Sequence, residues 1–116
     1  MRLILTFLVL FGTPVSAGSL QLLVTHDAAC GDFARWQREI GPNYASSAEG
    51  RLAPLLEIQS DGPWPDGLAL ASRPRATPTF ILTDDGREIG RLEGYGDAAR
   101  FRAGLSQLLD QASGAR

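Results

Sequence analysis

The chain has 116 residues, enough for one small domain, and its 44% hydrophobic and 21% charged residues are usual for a globular protein, unlike a disordered or collagen-like one. Its 11 basic residues, all arginine, stand against 13 acidic ones for a formal net charge of −2, which provides no field to gather nucleic acid or an anionic membrane surface. One cysteine and one histidine exclude an internal disulfide and a cysteine-rich zinc site, so no metal or other cofactor is expected.

The first 17 residues carry Arg2, then the apolar run Leu3 to Phe11, then Gly12-Thr13-Pro14-Val15-Ser16-Ala17. A positive charge, a short apolar stretch and a small-x-small ending form the three-part pattern of a secretory signal peptide. The apolar run is too short for a stable membrane span, which takes about 20 residues. An N-terminal core strand is the plainer alternative. The expected organisation is a signal peptide over 1–17 and one domain over 18–116, periplasmic or secreted once the signal is removed. Disulfides form and persist there, so the unpaired Cys30 is either a buried inert thiol or a reactive group.

Leu20 to Thr25 is a short apolar run ending at His26-Asp27 and predicts a buried strand. Phe33, Trp36 and Ile40 follow at helical spacing, predicting an amphipathic helix capped by Asp32 and stopped at Gly41-Pro42. Residues 41–54 read as a loop or a distorted helical extension. Leu55 to Gln59 predicts a second strand, and Leu68 to Ser72 a short helix before Arg73-Pro74. Thr79 to Thr83 and Arg87 to Glu93 flank Asp84-Asp85-Gly86, the strongest short-range hairpin signal in the chain. Asp97 to Gln111 predicts a last helix, capped by Asp97, with Phe101, Leu105, Leu108 and Leu109 on one face. A strand-helix-strand opening gives a parallel pair and the hairpin adds antiparallel strands, so the fold class is α/β with one mixed sheet and helices on both faces.

Cys30 lies in the loop between the first strand and first helix, at the carboxyl end of a strand, where ligands gather in sheets of this kind. The start of a helix also favours an anion, and the thiolate is the nucleophilic form of cysteine. His26, four positions earlier, reads as a surface or packing residue with a lesser claim to assist Cys30. Arg35 and Arg38 read as a solvated helix face, Trp36 as core, and Trp64 among prolines as a loop anchor. Pro78 at the entry to a strand fits the rule that proline sits at strand starts, edges or bulges.

Cys30-Gly31-Asp32-Phe33-Ala34-Arg35-Trp36 resembles the Cys-x-x-Cys-x-x-Trp stretch of certain exported thioredoxin-fold proteins, and Ala76-Thr77-Pro78-Thr79-Phe80-Ile81-Leu82 resembles their cis-proline strand. The segments 38–42, 49–54 and 85–95 are similar to the SoxS-type periplasmic thioredoxins associated with bacterial sulfur oxidation. The likeness covers the mature chain. It implies a thioredoxin-like fold, Cys30 as the attacking thiol, a cis Pro78 facing it, and a Thr77 backbone able to pair with an extended partner segment. It also implies a thiol-containing protein partner, the sulfur-carrier protein of a sulfur-oxidation system being the candidate. One departure matters: Phe33 stands where the family has its second, resolving cysteine.

A dithiol protein clears its mixed disulfide with its own second thiol. Without one, a bond made by Cys30 needs glutathione, another small thiol or a partner cysteine for its release. Two functions therefore stand side by side. One is a monothiol exchange protein working through Cys30. The other is a non-catalytic binding module whose apolar docking surface is Phe33 with the Thr77-Pro78 edge. A Cys30-linked homodimer is compatible with either.

Overall fold

The structure is a computed structural model and describes residues 19–27 and 29–114. The segment read as a signal peptide lies outside the described residues. Eight elements follow in order: β1 (Leu20–His26), α1 (Gly31–Glu39), α2 (Gly41–Tyr44), α3 (Ala48–Leu52), β2 (Leu55–Gln59), β3 (Thr79–Asp84), β4 (Arg87–Glu93) and α4 (Ala98–Gly114). The four strands form one sheet in the order β2-β1-β3-β4. β1 and β2 run parallel, with Val24 opposite Glu57, whereas β1 and β3, and β3 and β4, are antiparallel. This is the mixed sheet expected.

The two central strands are covered on both faces, which is why they read as unbroken apolar runs rather than alternating ones. Leu22 and Val24 of β1 join Phe80 and Leu82 of β3 in the larger core, with Phe33 and Trp36 of α1, Tyr44 of α2 and Phe101, Leu105 and Leu108 of α4. Aromatic rings tie the layers: Trp36 packs 5.3 Å from Phe80 and 5.9 Å from Phe101, and Phe80 lies edge-on to Phe101 at 4.8 Å. Helix α4 sits close on β4 because glycines face each other's neighbours. A Cβ on Gly104 would come within 2.7 Å of Leu92, and one on Gly90 within 2.6 Å of Leu108.

On the opposite face Leu23, Ile58 and Ile81 are covered by Trp64, Leu68 and Leu70. The short helix expected over Leu68 to Ser72 does not form; this stretch is non-helical chain bridged to β4. Six residues between the Asp66-Gly67 turn and Pro74 cannot offset the cost of a helix nucleus, and the backbone finds partners at the edge of β4 instead. Ala69 N–H donates to the Gly86 carbonyl at 2.8 Å, and Glu88 N–H donates to the Ala69 carbonyl at 3.0 Å. The helices α1, α2 and α4 thus contribute to one core, and the other face is closed by this segment.

Local signals account for most of the remaining chain. The hairpin turn is Asp85-Gly86 with φ of 55° and 84°, the two positive angles a two-residue type I′ turn requires. Gly41-Pro42 stops α1 as expected and also starts α2, where proline's missing N–H costs nothing. Residues 41–54, read as loop or distorted helix, hold two short helices, the second capped by Ser47, whose hydroxyl accepts from Gly50 N–H at 2.9 Å. Asp97 caps α4, its carboxylate accepting from Arg100 N–H at 2.8 Å.

Candidate functional site

Cys30 is the N-cap of α1. The expectation that Asp32 caps this helix is corrected: Asp32 is engaged by Arg35 at 2.9 Å, and the Cys30 sulfur takes the free amide, accepting from Phe33 N–H at 3.4 Å. Asp27 shapes the turn before it, its carboxylate accepting from Ala29 N–H and its carbonyl from Cys30 N–H, both at 2.9 Å. The thiol is half-buried. Its hydrogen points to the Thr77 carbonyl, 3.1 Å from Sγ.

Residues 47 positions apart in sequence are thus brought together at one end of the sheet. The Thr77-Pro78 peptide is cis. Its loop is fixed from three sides. Thr25 of β1 accepts Thr79 N–H on its hydroxyl oxygen at 3.0 Å and donates to the Ala76 carbonyl at 3.5 Å. Thr79 donates its own hydroxyl to the same carbonyl at 2.6 Å, and Gly94 N–H donates to the Pro78 carbonyl at 2.7 Å. Thr77 is half-buried and Pro78 fully buried, so the part of this edge open to a partner is the Thr77 backbone and its side chain rather than the proline ring.

Phe33 is 7% exposed. The His26 ring lies on it at 4.8 Å, nearly parallel, and Trp36 stacks with it at 6.0 Å. Phe33 is consequently a core residue of the site and not the apolar docking surface expected of it. A helix position three residues after the cap turns inward, and an aromatic there is drawn into the core by the area it removes from water. The histidine ring is what covers it.

Arg35, read as part of a solvated face, is a clamp. Its guanidinium donates to the Gly96 carbonyl at 2.7 Å and the Tyr95 carbonyl at 3.1 Å, and lies over the Tyr95 ring at 4.8 Å. The Tyr95 hydroxyl donates to Glu39. Burial first, and the Glu39 carboxylate second, push the Tyr95 hydroxyl up to about 12. Burial likewise pushes Tyr44 upward, with Glu49 adding to it. Thr25, Thr79 and Arg35 are the contributors that residue patterns missed. Only a buried threonine inside the apolar run of β1 signalled the first.

Among the described residues no group of three or more His, Cys, Asp or Glu is placed to hold a metal ion, and no helix is long and apolar enough to cross a membrane.

A four-stranded mixed sheet, a cysteine capping the helix after its first strand and a cis-proline opposite that cysteine define a thioredoxin-like protein. No protein-family model and no curated protein matches the chain. Solved structures do. The chain is 43% identical to the reduced form of the periplasmic thioredoxin SoxS from Paracoccus pantotrophus, with 80% of this chain and 98% of that one covered and a TM-score of 0.78. The protein belongs to the SoxS family of thioredoxins. Two more distant structures share the fold: a poplar thioredoxin h at 20% identity over 80% of this chain and 78% of that one (TM-score 0.55), and the Malassezia sympodialis thioredoxin at 18% over 78% and 76% (TM-score 0.53).

Proposed function

We propose that this chain is a periplasmic monothiol exchange protein in which Cys30 forms mixed disulfides with a partner protein. Residues 1–17 act as the signal that exports it. The observation that carries the reading is the setting of Cys30: its sulfur caps α1, accepts Phe33 N–H and lies 3.1 Å from the carbonyl that precedes a cis-proline. The chain contains no second cysteine, and by the resemblance of 30–36 to the Cys-x-x-Cys-x-x-Trp stretch, Phe33 takes the place of the resolving thiol. The step balances without a cofactor. The Cys30 thiolate attacks one sulfur of a disulfide, the new S–S bond forms, and the old one breaks to release a thiolate. Release of the protein requires a second thiol from outside, glutathione or a cysteine of the partner. The thiol-bearing partner is the sulfur-carrier protein of a sulfur-oxidation system, as the SoxS relationship suggests, and the Thr77 backbone pairs with its extended segment.

The binding-module reading loses its apolar surface, since Phe33 and Pro78 are both buried. The deciding experiment adds a second thiol. Wild-type chain treated with oxidised glutathione should gain the mass of one glutathione adduct, absent in Cys30→Ser. Phe33→Cys, checked for native circular dichroism and supplied with a small dithiol to reduce its oxidised form again, should convert this single adduct into repeated reduction of a disulfide substrate. An unmodified wild-type mass together with a Phe33→Cys variant that folds and does not turn over would sink the redox reading.

A further inference from the structure

The Thr77 edge does not end at Cys30. On its N-terminal side Ser72, Arg73, Pro74, Arg75 and Ala76 face Glu93 across an open cleft of about 610 Å³. Arg73 and Arg75 are exposed, and Arg75 makes no ion pair or hydrogen bond among the described residues. The carboxylates on this side offset them only in part. Arg91 is engaged by Glu88 and also lies 3.8 Å from the exposed Glu93, so the three arginines face two carboxylates and one positive charge stays in excess. Arg73 reaches the other way, its guanidinium 5.3 Å from the Trp64 ring centroid. There it forms the rim of a second cleft, about 270 Å³, walled by Trp64, Pro65, Leu68 and Leu70. A surface thus runs from the reactive sulfur, over two exposed arginines with one positive charge in excess, to an apolar hollow, on a chain whose net charge is negative.

We propose that Arg73 and Arg75 select the partner: an extended protein segment with carboxylate side chains within about four residues of its disulfide-bonded cysteine, at about 3.3 Å per residue of extended chain. An apolar side chain beyond the carboxylates fills the Trp64 hollow. This rests on the redox reading of Cys30 and adds the chemistry of the segment it attacks. Exposed arginines that meet carboxylates act mainly by steering encounter, so their effect is on the rate of association and weakens with salt.

The test uses two synthetic peptides identical except for flanking residues, Asp and Glu in one, Asn and Gln in the other, each bearing its cysteine as a mixed disulfide with thionitrobenzoate. Attack by Cys30 joins peptide to protein and releases the coloured thiolate. At low ionic strength the acidic peptide should react about three- to tenfold faster, a preference that shrinks toward one in high salt. In the double variant Arg73→Gln, Arg75→Gln the ratio should fall to near one. A wild-type ratio near one at low salt overturns the inference, as does a preference that survives the double variant. An equally large arginine dependence with oxidised glutathione alone also overturns it, since that marks a site for a small carboxylate. If neither peptide releases the thiolate, the redox reading fails instead. Fluorescence anisotropy of the two peptides, labelled and in reduced form, on Cys30→Ser then decides the charge selection by itself: tighter binding of the acidic peptide supports it and equal binding refutes it.

Discussion

Thr25 shows how one hydroxyl determines the shape of the site. Its oxygen is the acceptor for the buried Thr79 N–H at 3.0 Å, and its hydrogen reaches the Ala76 carbonyl on the other side of the cis-proline loop. The isosteric substitution Thr25→Val keeps the volume and removes both bonds. An unpaired buried amide costs about 1–3 kcal/mol, so urea denaturation should register a loss of that size. The same variant should form the Cys30 mixed disulfide more slowly, because the Thr77 carbonyl is no longer held in place. A loss of stability with an unchanged rate would show that the loop keeps its form through Thr79 and Gly94 alone. This role was only half legible in the sequence. A threonine in an apolar run belongs on a strand, but its partners are more than 50 residues away. Phe33 shows the same limit from the other direction: its place three residues after Cys30 was readable, whereas its burial under His26 depends on the end of β1 passing over it.

At the scale of elements, what the sequence revealed were features whose partners are local. Asp85-Gly86 makes its hairpin turn from its own two residues, and Asp97 caps α4 within four residues. Where another contact competes for the same group, the local pattern does not decide. Asp32 was the better cap by residue type, but Arg35 takes its carboxylate and leaves the cap to the sulfur. Leu68 to Ser72 met the edge of β4, which no local pattern encodes. Arg35 itself joins α1 to the loop between β4 and α4, and that loop holds Pro78 through Gly94. The two halves of the site are therefore braced against each other through one guanidinium. Arg35→Met keeps the stem and deletes three hydrogen bonds, two of them to carbonyls; at about 1 kcal/mol each for partly exposed bonds, the loss should be about 2–3 kcal/mol. Hydrogen exchange should report it selectively, with faster exchange at Gly94 and Phe33 than in the centre of β3. Uniform acceleration across the sheet would mean that Arg35 supports the whole fold and does not brace the site in particular.

Across the molecule, Glu88 contributes a pH-dependent part of the stability at the acid end, and Tyr95 and Tyr44 contribute one at the alkaline end. Glu88 and Arg91 form a double hydrogen bond, both at 2.8 Å, with side chains 9% and 14% exposed, and through Ala71 N–H and the Ser72 carbonyl they fasten the segment that closes the second face of the sheet. The hydrogen bond to Arg91 holds the Glu88 carboxyl below its ordinary value, against the opposing effect of burial. A group lowered in the folded state contributes stability that is present above its unfolded value, about 4.3, and is lost as pH falls through the folded one. Tyr95 works at the other end. Pushed up to about 12 from an ordinary 10, it contributes stability that is whole below pH 10 and declines as pH rises toward 12. Thermal denaturation across pH should therefore give a plateau with an acid and an alkaline limb. Glu88→Gln should cost about 1.5–3 kcal/mol on the plateau, the range for a hydrogen bond to a charged group, and should flatten the acid limb because the titrating carboxyl is gone. Tyr95→Phe should make the alkaline limb shallower, the part due to Tyr44 remaining, and leave the acid one standing. If Glu88→Gln lowers the plateau and leaves the acid limb as steep as before, other carboxylates govern acid unfolding and the clasp over the second face acts only through its neutral packing.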